Sequence, residues 1–333
     1  LWLDVQNGKA LRTHLVLGDA MSDVRTTIKV NYRHNEDIGT LVPAVMDELY
    51  ENPKDASAYA GLAVSYIFLW CYGFLSREDS IPKAKRAAMQ AVEINNKLGE
   101  AHTALGIIKL GEWDWKSAER EFQLGIELSP GNSNAHHWYA LYLSAMGRHE
   151  QALESSRHSL SLSPVSYSDI GHGSILYFAH QFDQMVELLD NTVKKIPNFA
   201  PGFDWLGMAY LQLKQFDKSI EMYQKAVELS DGLAEIKAGL GHAYGMAGRK
   251  EEARKVLNEL NSLAEKYYIP PVQIAYVAAS LDEIDETFEL LEKAYIERTW
   301  DLVFIREEPW FDDFHSLPRF VNLLKRIQFP GKE

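Results

Sequence analysis

A small residue recurs through the middle of the chain at a spacing that hardly varies. Gly106, Ala140, Gly173, Gly207 and Gly241 form one column, with steps of 34, 33, 34 and 34 residues. Twelve positions after each stands a second column, made of Ala118, Ala152, Met185, Ser219 and Ala253. Twelve positions further on, three copies have a proline, namely Pro130, Pro164 and Pro197. A period of this length restricts the chain to units that stack on one another.

Each copy has the sequence features of two helices joined by a turn. A small residue on each helix permits close approach, and larger apolar residues such as Leu206 and Tyr223 fill the space between the helices. Gly147 and Gly248 supply turn residues between the two helices of their copies. The prolines end the second helix, because a proline cannot continue the backbone hydrogen-bond ladder. Neither helix buries its apolar face alone, so the pattern predicts an all-α solenoid.

These columns resemble the tetratricopeptide repeat (TPR), in which a helix A and a helix B form each unit of a right-handed superhelix. The resemblance implies a solenoid of about six repeats over residues 51–297, followed by a capping segment at residues 298–333. The first repeat is irregular, because nine extra residues around Trp70 separate its two small positions, Ala63 and Ala84. We expect a lengthened helix A or a projecting aromatic loop there, with packing rather than binding as its role.

Further motifs lie within and after the repeats. They are an Ala-Tyr-x-x-Leu sequence, the Trp113-Asp114-Trp115 turn, the Pro270-Pro271 pair, and closing Pro-x-Phe-Asp and Pro-Arg-Phe-x-x-Leu-Leu sequences. Together they are similar to the C-terminal TPR regions of bacterial winged-helix transcriptional regulators, class III nucleotide cyclases and serine/threonine kinases. This resemblance implies a sensory or scaffolding module of a signalling protein. We expect it to be cytoplasmic or, alternatively, on the periplasmic side of a membrane-anchored regulator.

Residues 1–50 lie outside the repeat and predict a small α/β lead-in, which we expect to be the end of a truncated upstream domain. Leu1–Val5 and Leu11–Leu17 flank Asn7-Gly8, a pair that favours a tight hairpin turn. Thr26–Tyr32 alternates and is rich in β-branched residues, which predicts a third strand. Glu36–Tyr50 predicts a helix.

Charge restricts the partners that this chain suits. Its formal net charge is −13, whereas the phosphates of nucleic acid need a basic face. Residues 281–313 contribute twelve acidic against three basic residues, a run that forms a solvated helix face or attracts a basic partner. Cys71 is the one cysteine of the sequence, so no intramolecular disulfide is expected. No apolar run approaches the roughly 18 residues that a membrane span requires.

In TPR folds helix A lines the concave groove, at the positions three before and one, four and five after the small column. On this chain those positions are Thr103, Ile107, Leu110, His137, Leu141, Ser144, Ile170, Ser174, Tyr177, Phe178, Asp204, Met208, Leu211, Gln212, His242 and Met246. Co-chaperone TPRs clamp acidic C-terminal tails with Lys, Arg and Asn there, and this set is missing. The apolar and aromatic side chains instead suit an amphipathic or extended peptide, unless superhelical packing covers them.

Two clusters of reactive side chains are weak candidates for chemistry. His102, His136 and Asp169 share one helix-A column, but successive repeats stack roughly 10 Å apart. That separation is too large for one zinc ion, whose ligands lie about 2 Å away. Four acids and a histidine also lie close together in the sequence of the capping segment: Glu307, Glu308, Asp312, Asp313 and His315.

The sequence contains no glycine-rich phosphate loop, nucleophile elbow, CxxC pair or HExxH motif. We therefore expect no enzyme and no cofactor, and predict a module that binds a protein or peptide in its groove. Two alternatives stay open. The groove could hold a lipid or other apolar small molecule, or the solenoid could dimerise a missing effector domain, as a homodimer.

Overall fold

The computed structural model describes residues 2–6, 10–14, 27–30, 52–163 and 166–331. The chain divides into two compact units. Unit 1 comprises Leu1–Pro164 together with Phe329–Glu333, and unit 2 comprises Val165–Gln328. Paired helices make up most of the described residues of both units, as the repeat predicts.

Three antiparallel strands lie at the start of unit 1. They are β1 (Trp2–Gln6), β2 (Ala10–His14) and β3 (Thr27–Val30), in the sheet order β1-β2-β3. Trp2 lies opposite His14 in the pairing of the first two strands. All three strands fall where the sequence predicts them. The predicted Asn7-Gly8 turn and the predicted helix Glu36–Tyr50 lie outside the described residues.

Three A–B helix pairs occupy the described remainder of unit 1. They are α1 (Ala56–Cys71) with α2 (Arg77–Ile94), α3 (Gly99–Gly111) with α4 (Trp115–Leu128), and α5 (Ser133–Ala145) with α6 (His149–Leu162). Side-chain caps begin two of the A helices. Asp55 accepts hydrogen bonds from the backbone N of Ser57 (2.9 Å) and Ala58 (3.0 Å), and Asn132 accepts one from Ala135 (3.1 Å). Such caps satisfy N–H groups that have no partner within the helix.

The insertion in the first repeat lengthens both of its helices. α1 has 16 residues and α2 has 18, compared with 13 and 14 in the second repeat. Trp70 is only 2% exposed and lies against Gly111 of α3, where an added Cβ would come within 2.2 Å of the indole. The lengthened helix A is therefore the correct alternative, and its tryptophan contributes to packing.

Unit 2 contains four A–B pairs in its described part. They are α7 (Ser166–Phe178) with α8 (Phe182–Lys195), α9 (Ala200–Gln212) with α10 (Phe216–Leu229), α11 (Ala234–Met246) with α12 (Lys250–Ala264), and α13 (Pro271–Ser280) with α14 (Ile284–Glu297). Two 3₁₀ turns, Trp300–Val303 and Pro309–Phe314, precede α15 (Pro318–Ile327). The divergent first and last copies both form helix pairs, which brings the described total to seven.

The turn between helix A and helix B repeats its backbone geometry. One residue in each of seven turns has a φ between 56° and 76°: Gly73, Trp113, Gly147, His180, Lys214, Gly248 and Asp282. Only three of these seven are glycines, the residue that adopts a left-handed conformation without strain. The others accept about 1 kcal/mol of strain each, because the stacked helices fix the turn.

The small column gives helix B its place against helix A. An added Cβ on Gly106 would lie 2.7 Å from the ring of Phe122, and one on Gly207 would lie 2.8 Å from the ring of Tyr223. Gly173 has more room, because the same atom would lie 3.4 Å from Leu189. Glycine is therefore required where helix B carries an aromatic residue at this position.

α15 packs on α14 at the end of unit 2. Arg319 pairs with Asp285 (2.8 Å) and Arg326 pairs with Glu292 (2.7 Å). Phe320 of α15 is fully buried. The helix therefore closes the last repeat with its apolar side and carries its charged residues on the outer side. In the part of the chain that the structure describes, no helix is both long and apolar enough to cross a membrane.

Candidate functional site

Residues 299–314, here called the closing segment, lie on the helix-A face of unit 2. Phe304 stacks on Phe178 of α7, with ring centroids 4.8 Å apart. Glu308 accepts a hydrogen bond of 2.5 Å from the Tyr177 hydroxyl. The sequence predicts residues 298–333 as a capping segment, and within that range α15 packs on the last repeat. The closing segment lies on the A helices instead, because it buries a run of apolar side chains: Leu302, Val303, Phe304 and Ile305.

The second half of the closing segment contacts two more A helices. Trp310 stacks on His242 of α11, with centroids 4.3 Å apart and ring planes 10° from parallel. Its edge-to-face partner is Tyr276 of α13, also at 4.3 Å. The closing segment therefore extends across several A helices of unit 2, and it does so as two 3₁₀ helices joined by a turn.

Tyr223 reaches this face from helix B. Its ring passes Gly207 on α9 and Gly239 on α11, where an added Cβ would come within 2.8 Å and 2.3 Å of ring atoms. A Cβ on Gly239 would also lie 2.9 Å from the phenolic oxygen. The side chain is fully buried, and its hydroxyl has no hydrogen-bond partner among the described residues. The two glycines thus admit a polar group that the protein leaves unsatisfied.

Two acids lie one helical turn from those glycines. Asp204 precedes Gly207 by three residues on α9, and Glu235 precedes Gly239 by four on α11. Residues three or four apart share one face of a helix, so both carboxyl groups lie on the same side as the Tyr223 hydroxyl. Burial raises the pKa of Tyr223 well above its ordinary value, and the neighbouring acids, Asp204 first, raise it further.

The closing segment adds two more acids, and all four have raised pKa values. Burial raises the pKa of Asp204 to about 7 and that of Asp301 to about 6. Burial, with the charges of Asp204 and Asp301, raises the pKa of Glu235 to about 8. Burial also raises the pKa of Glu308 to about 7, against the opposing effect of the Tyr177 hydrogen bond. We call these four acids and Tyr223 the acidic recess.

The members of the acidic recess differ in exposure. Glu308 is 7% exposed and Tyr223 is fully buried, whereas Asp204 and Asp301 are half-buried. Glu235 is exposed over the residue as a whole although its carboxyl group is crowded by protein. A residue at the edge of the acidic recess has both properties, an exposed side-chain stem and a carboxyl group close to other protein atoms. The direction of its pKa shift rests on its acidic neighbours as well as on burial.

His242 supplies no positive charge to the acidic recess. Its Nδ1 lies 2.7 Å from the backbone oxygen of Tyr276. A carbonyl oxygen can only accept, so Nδ1 carries the proton and donates it. Burial lowers the pKa of His242 to about 4, so the ring is neutral at pH 7.

The predicted groove residues of unit 2 differ in their contacts and in their exposure. Tyr177, Phe178 and His242 contact the closing segment, and Asp204 belongs to the acidic recess. Met208 packs partly buried on the core of unit 2. Buried positions are Ile170, Ser174 and Leu211, Gln212 is half-buried, and Met246 is 47% exposed.

The predicted groove residues of unit 1 are mostly covered. Ile107, Leu110 and Ser144 are fully buried. The Thr103 hydroxyl donates to the backbone oxygen of Gly99 within α3 (3.1 Å). The half-buried members on α5 are His137 and Leu141, which leaves them as the accessible part of the predicted groove in this unit.

The weaker candidates for chemistry are held apart. His102 contacts Glu121 (2.8 Å), His136 contacts the Pro130 oxygen (2.9 Å), and Asp169 accepts from Thr192 (2.8 Å). In the closing segment, Asp312 and Asp313 are exposed while Glu308 turns inward. Among the described residues no three His, Cys, Asp or Glu side chains are placed to hold a metal ion.

The sequence reasoning missed most of the acidic recess. Glu235 lies six positions before Gly241, outside the positions assigned to the groove, and Tyr223 was interpreted as packing between helices. The signals that were present are the additional glycine at Gly239 and the acidic run of the closing segment. Neither indicates that helix B and the closing segment meet at one place.

Comparison with known proteins agrees with this architecture. Profiles of the tetratricopeptide repeat match residues 121–154 and 210–267. The chain therefore contains tetratricopeptide repeats. The solved structure of the APC/C hetero-tetramer Cut9-Hcn1 covers 88% of this chain and 52% of its own, with a TM-score of 0.57 and 17% identity. Yeast Tom70 covers 89% and 63%, with a TM-score of 0.51 and 18% identity, which shows a shared fold.

The curated relatives are longer proteins, and the chain covers only part of each. The transcriptional regulator HilA of Salmonella typhimurium (strain LT2) is 21% identical over 273 residues, covering 82% of this chain and 47% of HilA. The BBSome complex member BBS4 of Bos taurus is 28% identical over 135 residues, covering 40% of this chain and 26% of BBS4. The chain spans less than half the length of either relative.

Proposed function

We propose that this solenoid is a protein-interaction module that binds a peptide segment of a partner on a helix-A face. The observation that supports it best is the closing segment. Residues at predicted groove positions on unit 2 hold this segment of 3₁₀ turns by stacking and by a side-chain hydrogen bond. A groove can recognise a partner's peptide by contacts of the same kind.

In this proposal the partner binds to unit 1. The closing segment already covers much of the helix-A face of unit 2, while α5 presents half-buried His137 and Leu141. Near them, Trp138 of α5 contacts Phe68 of α1, with ring centroids 5.9 Å apart. Apolar and aromatic side chains of this kind are typical of the centre of a peptide-binding surface.

The wider role that we propose is the scaffold part of a bacterial transcription regulator or related signalling protein. The similarity to HilA, which extends over 82% of this chain, supports this context. A lipid in the groove of unit 2 is disfavoured, because that face carries four acids that an apolar ligand would leave without hydrogen bonds.

The test is a capture experiment with three forms of the chain in a bacterial lysate. Leu141→Glu adds a charge to the proposed surface, and Arg157→Glu adds the same side chain at an exposed position of helix α6. We expect a protein that the parent and Arg157→Glu retain and that Leu141→Glu loses while keeping its circular dichroism spectrum. Identical retained proteins in all three forms would contradict the proposal. A dimer of this chain in native mass spectrometry, abolished by Leu141→Glu alone, would favour the dimerisation alternative.

A further inference from the structure

The acidic recess brings four carboxyl groups together, and among the described residues no lysine or arginine lowers their pKa values. The acids that act on one another are Asp204, Glu235, Asp301 and Glu308. Three basic side chains of unit 2 pair with other acids. Lys237 pairs with Glu259, Arg254 pairs with Glu283, and Arg306 of the closing segment pairs with Glu307. Like charges in a crowded site are unfavourable unless a cation joins them.

A second, independent feature indicates that something binds there. The Tyr223 hydroxyl is completely buried and unpaired among the described residues. A buried hydroxyl without a hydrogen-bond partner is destabilising. The chain moreover keeps two glycines, Gly207 and Gly239, at the positions where any Cβ would exclude this ring. The phenol is thus admitted to the acidic recess with its oxygen free to accept a hydrogen bond.

The walls of the acidic recess favour one class of ligand. The half-buried Tyr276 and Trp310 provide aromatic rings beside the acids, and aromatic faces attract organic cations. A metal ion needs several ligands within about 2.6 Å of one point. No such convergence exists among the described residues, so a larger cation with several N–H donors fits better.

We propose that the acidic recess of unit 2 binds an organic cation, an ammonium or guanidinium group. Its N–H groups donate to the carboxylates of Asp204, Glu235 and Asp301 and to the Tyr223 oxygen. Such a group is carried by a free small amine or by a lysine or arginine side chain of a partner. The sequence predicts that the acidic run of residues 281–313 is a solvated helix face or attracts a basic partner. Asp301 and Glu308 give that run a specific role in this proposal.

The site also connects the ligand to the closing segment. Asp301 and Glu308 come from that segment, whereas Asp204 and Glu235 come from helices α9 and α11. A cation between them joins the closing segment to the A helices. Ligand binding therefore tightens the segment on the helix-A face of unit 2. This inference is independent of the partner surface proposed on unit 1.

The experiment is isothermal titration calorimetry on the full chain at pH 8.5 and 150 mM salt. The probes are agmatine, as a free guanidinium ligand, and acetyl-Gly-Arg-Gly-amide, as an arginine side chain without terminal charges. Acetyl-Gly-Gln-Gly-amide is the neutral control. We expect saturable binding of one equivalent of at least one cationic probe and none of the neutral peptide. Binding of agmatine alone indicates a free amine, and binding of the peptide alone indicates a partner side chain.

Two variants test the site itself. Asp204→Asn with Glu235→Gln removes two charges from the acidic recess, and Asp217→Asn with Glu221→Gln makes the same changes on the exposed face of α10. We expect at least a tenfold loss of affinity in the first and parental affinity in the second. Tyr223→Phe, which keeps the ring, is expected to weaken binding severalfold without loss of helix content. Absence of saturable binding, or parental affinity in both recess variants, would overturn the proposal.

Discussion

Phe122 in unit 1 and Tyr223 in unit 2 occupy the same place in their repeats. Each lies on helix B, sixteen residues after a small-column glycine, and each ring packs within 2.8 Å of where that glycine's Cβ would be. Both side chains are fully buried. They differ by one hydroxyl group, and the surroundings differ accordingly. Phe122 contacts the rings of Tyr139 and Tyr142, whereas Tyr223 projects into the acidic recess.

This comparison separates what the repeat requires from what each unit does with it. The glycine and the aromatic ring are requirements of packing, and they are the same in both units. The hydroxyl and the acids are additions that packing does not need, since unit 1 reaches the same arrangement without them. In the proposed site, a bound cation gives the Tyr223 hydroxyl the hydrogen-bond partner that it lacks among the described residues.

The first prediction tests the shared packing and has the largest expected effect. Gly106→Ala and Gly207→Ala should each lower the free energy of unfolding by about 2 kcal/mol, because the added methyl group overlaps a fully buried ring. Gly173→Ala is the matched control. Its methyl group meets Leu189 at an ordinary 3.4 Å, so we expect a gain of about 0.5–1 kcal/mol from the helix preference of alanine. Urea unfolding followed by circular dichroism measures all three, and equal effects would refute the packing argument.

The second prediction exchanges the hydroxyl between the units. Phe122→Tyr should lower the free energy of unfolding by about 1 kcal/mol, because it buries a hydroxyl among aromatic rings. Tyr223→Phe should be neutral or stabilising in the absence of ligand, since it removes an unsatisfied one. Thermal unfolding of the two variants beside the parent measures the difference. A marked loss of stability in Tyr223→Phe would mean that the hydroxyl has a partner within the protein.

The third and smallest prediction concerns pH. The four recess acids have pKa values of about 6 to 8 in the folded chain, whereas an unfolded carboxyl group titrates near pH 4. The folded state therefore holds more protons between about pH 4 and 8, so its stability falls as pH rises through that range. His242, with its pKa lowered to about 4, acts in the opposite sense below about pH 6.5. Above that pH only the acids remain.

We therefore expect the melting temperature of the ligand-free chain to fall by a few degrees between pH 6.5 and 8.5. Glu308→Gln removes one titrating group from the acidic recess and should flatten this dependence. Glu154→Gln, at an exposed position of α6 in unit 1, should leave it as in the parent. A melting temperature that rises over this range, or one slope shared by all three proteins, would show that the recess acids are ionised in the folded state.

The repeat was predictable because its signals are local and recur. Small residues such as Gly106 and Gly207 mark every crossing of helix A and helix B, and the strand pattern before residue 31 is equally local. The positive φ in the turns has a sequence signal only at glycines, such as Gly147 and Gly248. The same geometry at Lys214 or Asp282 is imposed by the stacked helices and has no sequence signal.

Thus the sequence alone determined the class of fold, the helix pairs and the helix-A positions that Tyr177, Asp204 and His242 occupy. Tertiary structure decided what those positions face. Glu308 bonds to a tyrosine 131 residues earlier in the chain, and Tyr223 crosses from helix B between two glycines. Contacts of such long range depend on how helices stack and on where a non-repeating segment finds apolar surface, and no periodicity records either.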